Sequence, residues 1–208
     1  MAMGRKRSGR RPGRPDTRQQ ILAAAREIFA AEGYERSSIR RIATAAEVDP
    51  ALIHHYFGTK DKLFLEAVEA PFDPKTVIPE VFGPGITDVG ERLVRAFIGV
   101  WDSPNGTRAE AFLRSAVNHP FMSKLVEQFI LNHIIKTALN NLDAEIDHVS
   151  VRGSLIASQL LGLAVARYLV KLSAIRDLSP DTLAKIYGPT IQRYLEMDLT
   201  DLHLPPSD

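Results

Sequence analysis

The stretch RSSIRRIATAAEVDPALIHHYFGTK, residues 36 to 60, leaves room for two short helices and a tight turn between them, and little else. Ser38 is placed to cap the first helix, and Ile39, Ile42, Ala43 and Ala46 recur at i, i+3, i+4 and i+7. That period gives one apolar face and turns Arg40, Arg41 and Thr44 outward. After the turn at Ala46 to Val48, Asp49 is a good N-cap and Pro50 occupies the first helical position, where a missing N–H costs nothing. Ile53 and Phe57, four apart, pin this second helix to a core and leave Pro50, Ala51, Leu52, His54 and His55 around its N-terminal and outward sides. Two short helices with a basic, His-rich outer face are the layout of a helix-turn-helix that reads DNA, the second helix presenting its N-terminal residues to base edges in the major groove.

The rest of the chain reads as helix throughout. Asp16 caps a first helix, with Gln19 three residues on as in a capping box; Ile21, Leu22, Ala25, Ile28 and Phe29 form its buried stripe, and Gly33 ends it in the left-handed position. Thr59 caps a fourth helix whose Leu63, Phe64, Ala67 and Val68 face inward until Pro71 stops it. Residues 71 to 87 hold four prolines and two glycines and read as a linker with a short helical turn near Thr76 to Val81. Asp88 and Glu91 form a capping box for a helix bearing Leu93, Val94, Phe97, Ile98 and Trp101 on one face. Further helices are expected to about Val117, from 121 to about 141, from 148 to 172 (apolar nearly all round, hence covered on more than one side), and from Ser179-Pro180 onward, with a kink at Pro189. No strand pattern appears. The expected fold is all-α, about nine helices: a basic arm at 1–15, a helix-turn-helix domain at 16–70, the linker at 71–87, a ligand-binding and dimerisation domain at 88–197 and a flexible tail at 198–208.

Charge divides the chain in the same way. Residues 1–60 contain twelve Lys and Arg against six Asp and Glu, and the remainder fourteen against nineteen. A basic head on an acidic body implies a polyanionic partner for the head alone. Arg5, Lys6, Arg7, Arg10, Arg11 and Arg14 crowd the first fifteen residues without an acid among them, a composition that suits an arm lying along DNA and reaching a minor groove, above all at Arg10 to Arg14, and for the first few residues equally a solubilising tail. The absence of cysteine removes disulfides, thiolate zinc sites and a cysteine nucleophile. No cofactor and no metal are expected, and His54 and His55, adjacent on a helix, point about 100° apart and do not share an ion. No apolar run is expected to span a membrane, LIASQLLGLAVA at 155–166 being broken by Ser and Gln, and the Arg-rich start lacks a secretory apolar core, so a cytoplasmic location is expected.

Three segments, DTRQQILAAAREIFAAEGY, the run from Ile39 to Ala46, and VDPALIHHYFGTKDKLF at 48–64, together resemble the tetracycline-repressor (TetR) family of bacterial one-component regulators over about the first 65 residues. The resemblance implies Pro50, Ala51, Leu52, His54 and His55 near base edges, Ser38, Tyr56 and Lys60 on phosphates, and Arg40 within reach of a base. The arm residues Arg10, Arg11 and Arg14 join this DNA-binding set. Glu47 stands where the family's turn usually has glycine, so positive φ is expected at a non-glycine residue. Leu52 replaces a common small hydroxyl and His54 a common aromatic, which alters the sequence recognised.

In the second domain, Phe97, Trp101, Phe112, Phe129, His133 and Tyr168 are the candidate lining of an effector pocket, though an aromatic stripe at helical spacing equally suits a core. Ser154, Ser158, Gly162 and Ala166 form a small-residue row at i+4 spacing that lets another helix approach, and with Ile191 they are the candidate dimer interface. Ser115, His119 and Asp102 show no triad spacing. The sequence thus reads as a non-enzymatic, homodimeric regulator, a repressor responsive to a small organic effector and bound to a pseudo-palindromic double-stranded operator. An effector-independent architectural DNA-binding protein is the alternative from another class, and a helical enzyme ranks third.

Overall fold

The computed structural model describes residues 16–141 and 146–199, and among these every regular element is helical. The expected arm, with Arg10, Arg11 and Arg14, lies outside the described residues, as does most of the expected tail. The head comprises α1 (Thr17–Glu32), α2 (Ile39–Ala45), α3 (Pro50–Phe57) and α4 (Lys60–Ala67). It is followed by α5 (Pro74–Phe82), α6 (Val89–Asp102), α7 (Gly106–Asn118) and α8 (Pro120–Phe129). The chain then runs through a π-helical stretch (Ile130–Ile135) into α9 (Lys136–Leu139). Next come α10 (Val149–Ala164) with a π-helical extension (Val165–Leu169), α11 (Ser173–Arg176) and α12 (Pro180–Glu196).

Local chemistry accounts for the ends of the head helices. Asp16, Ser38, Asp49 and Thr59 each accept a hydrogen bond from a first-turn N–H, that of Arg18, Arg41, Ala51 and Lys62. Such caps satisfy donors that a helix leaves unpaired and contribute about 1 kcal/mol each. Gly33 closes α1 at φ +84°, and Glu47 turns the chain between α2 and α3 at φ +52°, the left-handed conformation expected there without a glycine.

At α6 the expected cap is replaced. Asp88 is itself left-handed, at φ +55°, and makes no side-chain cap; the N–H of Gly90 instead donates to Gln192 Oε1 at 3.0 Å. Here α6 and α12 cross with their backbones in contact, a Cβ on Gly90 falling 2.1 Å from the Gly188 carbonyl oxygen, so only glycine fits. The expected linker contains a nine-residue helix, α5, which buries Ile78, Val81 and Phe82. Its spacing of Val77, Ile78, Val81 and Phe82 is that of an amphipathic helix, and Pro79 does not interrupt it.

The head does not stand apart. Ile21, Phe29, Ile42, Ile53, Leu63 and Phe64 share one apolar cluster with Met122, Leu125 and Phe129 of α8. Across the same junction the Tyr34 N–H donates to Gln128 Oε1 at 3.1 Å, Gln128 Nε2 donates to the Phe29 carbonyl at 3.2 Å, and Lys136 pairs with Glu35 at 3.1 Å.

The long apolar helix departs from two expectations. Val149–Leu169 is long and apolar enough to cross a membrane, because its Ser and Gln interruptions are too few to offset the aliphatic residues between them. It is also covered on one side only: Arg152, Leu163 and Ala164 are buried, whereas Ser154, Ser158, Leu161, Gly162 and Val165 are exposed.

Candidate nucleic-acid interface and inner cavity

Burial decides which side of α3 faces outward. Ile53 and Phe57 are 1% and 4% exposed in the head core, each contributing about 1.5–3 kcal/mol as a buried side chain. With those two positions anchored, Ala51, Leu52, His54, His55 and Tyr56 are left exposed and Pro50 half-buried. His55 and Tyr56 meet edge to face at 5.3 Å. The Nδ1 atom of His54 lies 3.0 Å from the Gly58 carbonyl oxygen, so a proton on Nδ1 would close the end of α3 and leave Nε2 as a lone-pair acceptor. Beside this helix, Ser38 caps α2 and Arg40 is exposed, with no ion pair among the described residues, whereas Arg41 is held by Glu32 at 2.5 Å.

Lys60, expected on a phosphate, bends back: its ammonium sits 4.3 Å from the centre of the Tyr34 ring, half-buried, and burial lowers its pKa. A partly desolvated cation over an aromatic face is a favourable alternative to solvent. Burial raises the Tyr34 pKa, assisted by the hydrogen bond from its hydroxyl to Asp61. Burial pushes the Asp61 carboxyl the other way, up, but hydrogen bonds from Lys75 and Tyr34 outweigh it and leave the pKa below the usual value.

Between α5, α6, α7, α8, the π-helical stretch after it, and α10 lies a partly open cavity of about 190 Å³. Phe97, Trp101, Phe112 and Phe129 line it, alongside Pro71, Phe72 and Phe82 from the segment expected to be a linker. Two expected lining residues lie elsewhere. His133 is turned to the head, buried between Phe64 and Tyr34, while the following residues Ile134 and Ile135 line the cavity. Tyr168 stacks on the outer side of Trp101 at 4.7 Å and donates its hydroxyl hydrogen bond to Asp102 at 2.8 Å, facing a separate polar cleft. The aliphatic lining, Ile134, Ile156 and Leu160 among it, escaped the sequence reading, which weighed aromatic residues alone; Arg152 was missed because a lone arginine in an apolar helix carries no pattern.

The small-residue row of α10 splits. Ser154, Ser158 and Gly162 are exposed and Ala166 half-buried, and the space around Gly162 is open, with no atom within 4 Å of a Cβ placed there. Ile191, expected at the dimer interface, is instead fully buried against α6 inside the protomer, since the tight crossing at Gly90 turns that face of α12 inward; the exposed apolar residue of α12 is Ile186, at 55%.

Comparison with known proteins bears on both halves. Residues 21–67 match the family model described as bacterial regulatory proteins, tetR family, and residues 88–195 match the tetracyclin repressor-like C-terminal domain. The HTH-type transcriptional repressor NicS of Pseudomonas putida is 42% identical over 53 residues, 26% of this chain and 25% of NicS. The HTH-type transcriptional regulator TcmR of Streptomyces glaucescens is 30% identical over 116 residues, 54% of this chain and 48% of TcmR. The matched region therefore spans between a quarter and about half of these relatives. A solved TetR-family regulator of Streptomyces coelicolor A3 is 35% identical, the alignment covering 90% of this chain and 99% of that one with a TM-score of 0.44.

Proposed function

The chain belongs to the tetR family of bacterial regulatory proteins, a family of helix-turn-helix transcriptional regulators, and on that premise we propose that it is a homodimeric repressor of a pseudo-palindromic operator, released or recruited by a small organic effector. The observation that carries this reading is α3: pinned by Ile53 and Phe57, it offers Ala51, Leu52, His54, His55 and Tyr56 to solvent beside the exposed Ser38 and Arg40. A helix so presented enters a major groove, Arg40 being long enough for a bidentate guanine contact and the cap donors near Ser38 suiting a phosphate. On this reading Pro50 and the arm residues Arg10, Arg11 and Arg14 complete the contact set, and the protein works on DNA in the cytoplasm.

A two-turn recognition helix reads few base pairs, so two copies are required. The exposed faces of α10 and α12, with Ser158, Leu161, Gly162, Val165 and Ile186, supply the surface for a four-helix pairing that also covers an otherwise solvent-exposed apolar helix. The inner cavity favours an effector-responsive regulator over an architectural DNA-binding protein, which has no use for one.

Signal transfer follows the aromatic contacts. Phe112 and Phe72 in the cavity wall meet Phe129 at 5.8 and 5.9 Å, Phe129 stacks at 6.2 Å on His133, and His133 rests on Phe64 of α4. A ligand that shifts Phe129 shifts α4, hence the spacing of the two recognition helices, which B-DNA fixes at about 34–36 Å. The test is a mobility-shift titration on a selected operator with and without ligand, read beside Trp101 fluorescence. Tenfold weaker DNA binding corresponds to about 1.4 kcal/mol of coupling, and DNA must weaken the ligand by the same factor. A ligand bound tightly in the cavity that leaves operator affinity unchanged defeats the ligand-responsive reading.

A further inference from the structure

Among the described residues that line the cavity, Arg152 alone carries a charge, and its guanidinium is committed elsewhere. At 5% exposure, its Nε donates to the Asp147 carbonyl at 2.9 Å and to the Asp147 carboxylate at 3.0 Å, Nη2 donates to the same carboxylate at 2.5 Å, and Nη1 to the Tyr194 carbonyl at 2.8 Å. The positive charge is thus met by Asp147, and of the five N–H groups two are left over by these bonds.

A carboxylate entering this cavity would meet a guanidinium already paired with the Asp147 carboxylate, and would have to displace that like charge to gain the pairing. It loses its hydration without gaining a free counter-charge, a cost of several kcal/mol for an ion. An ammonium group fares no better against Arg152 and a wall of hydrocarbon. A neutral molecule meets favourable terms: ring faces from Phe97, Trp101 and Phe129 and aliphatic carbon from Ile134 and Ile156, with Arg152 the one polar side chain in the lining. Size narrows the class further. A cavity of about 150 Å³ lined by aliphatic and aromatic residues holds benzene, so one of about 190 Å³ takes a somewhat larger molecule.

We infer that the cavity selects uncharged, mostly apolar molecules somewhat larger than benzene, up to about ten non-hydrogen atoms, bearing at most one neutral hydrogen-bond acceptor. This ligand class deepens the ligand-responsive reading and rests on it for its regulatory meaning.

The full-length protein is titrated with methyl heptanoate, octanoate and octylammonium, which have nearly the same size and differ in charge, following Trp101 fluorescence and the thermal midpoint. The ester is expected to bind at least tenfold more tightly than either ion. Octanoate binding as well as the ester, or no binding by the ester, overturns the inference. Asp147→Asn keeps the side-chain oxygen that accepts from Arg152 but removes the charge that neutralises it; it should raise octanoate affinity at least tenfold and leave the ester within about twofold, the ligand-free thermal midpoint reporting that the variant is folded. Octanoate affinity unchanged in that variant would overturn the neutralisation on which the selectivity is built. An operator mobility shift run in parallel separates the two levels: ester binding without an effect on operator affinity upholds the ligand class and removes the regulatory reading.

Discussion

The imidazole of His133 lies flat on the ring of Phe64, centroids 4.5 Å apart and planes 8° from parallel. The contact joins the π-helical stretch after α8 to α4, so it bridges the cavity-bearing half of the chain and the head. His133 is 7% exposed, Tyr34 closes its edge at 4.7 Å, and neither ring nitrogen has a hydrogen-bond partner among the described residues. Burial lowers its pKa, opposed by Asp61 of α4 and Glu35 before α2, with the backbone of Gln128 also favouring the charged form and Lys75 of α5 disfavouring it.

A pH dependence follows. The folded protein disfavours the charged form of His133 relative to the unfolded chain, which titrates near 6.5, so the unfolded state binds more protons and stability falls as pH drops below that value. The limiting slope is about 1.4 kcal/mol per pH unit. Urea midpoints measured between pH 8 and 5 should decline in the wild type and flatten in His133→Phe; equal slopes would show that His133 does not carry the effect. Asp61, whose pKa is lowered, stabilises the fold above about 3.8, and that contribution is lost as pH falls below it.

Glu47→Gly should raise head stability by about 1 kcal/mol, because Glu47 holds φ +52° where a Cβ is penalised and glycine is not. Thermal denaturation of the variant checks this. An unchanged or lower midpoint means that the turn relaxes at no cost to the wild type.

Gly162→Leu should leave the protomer folded, since the space around Gly162 is open, but should yield monomers and abolish operator binding. Sedimentation velocity and circular dichroism separate the two effects. A dimeric, DNA-competent variant would show that this face of α10 is not the interface.

Binding to DNA should weaken steeply with salt. If a dimer neutralises roughly 8 phosphates, log K falls against log salt with a slope near −7. Removing residues 1–14 should reduce that slope and weaken operator and random DNA alike, whereas Arg40→Ala should relax specificity at one base position. A wild-type slope shallower than about −3 contradicts an extensive phosphate interface.

The sequence by itself determined the head: Ser38, Asp49 and Pro50 set where helices start, Ile53 and Phe57 set which side of α3 is hidden, and the turn at Glu47 demanded a left-handed residue. Each of these depends on atoms within a few positions along the chain, so spacing alone reveals it. Only the tertiary structure decided that His133 turns to the head, that Lys60 folds over Tyr34, that Tyr168 leaves the cavity and Ile191 the protein surface, and that the Pro-rich segment at 71–87 builds a cavity wall. Those outcomes depend on which helix faces meet and at what rotation. A π-helical stretch at Ile130–Ile135 or a glycine crossing at Gly90 and Gly188 alters that rotation without disturbing the apolar periodicity from which the helices themselves are read.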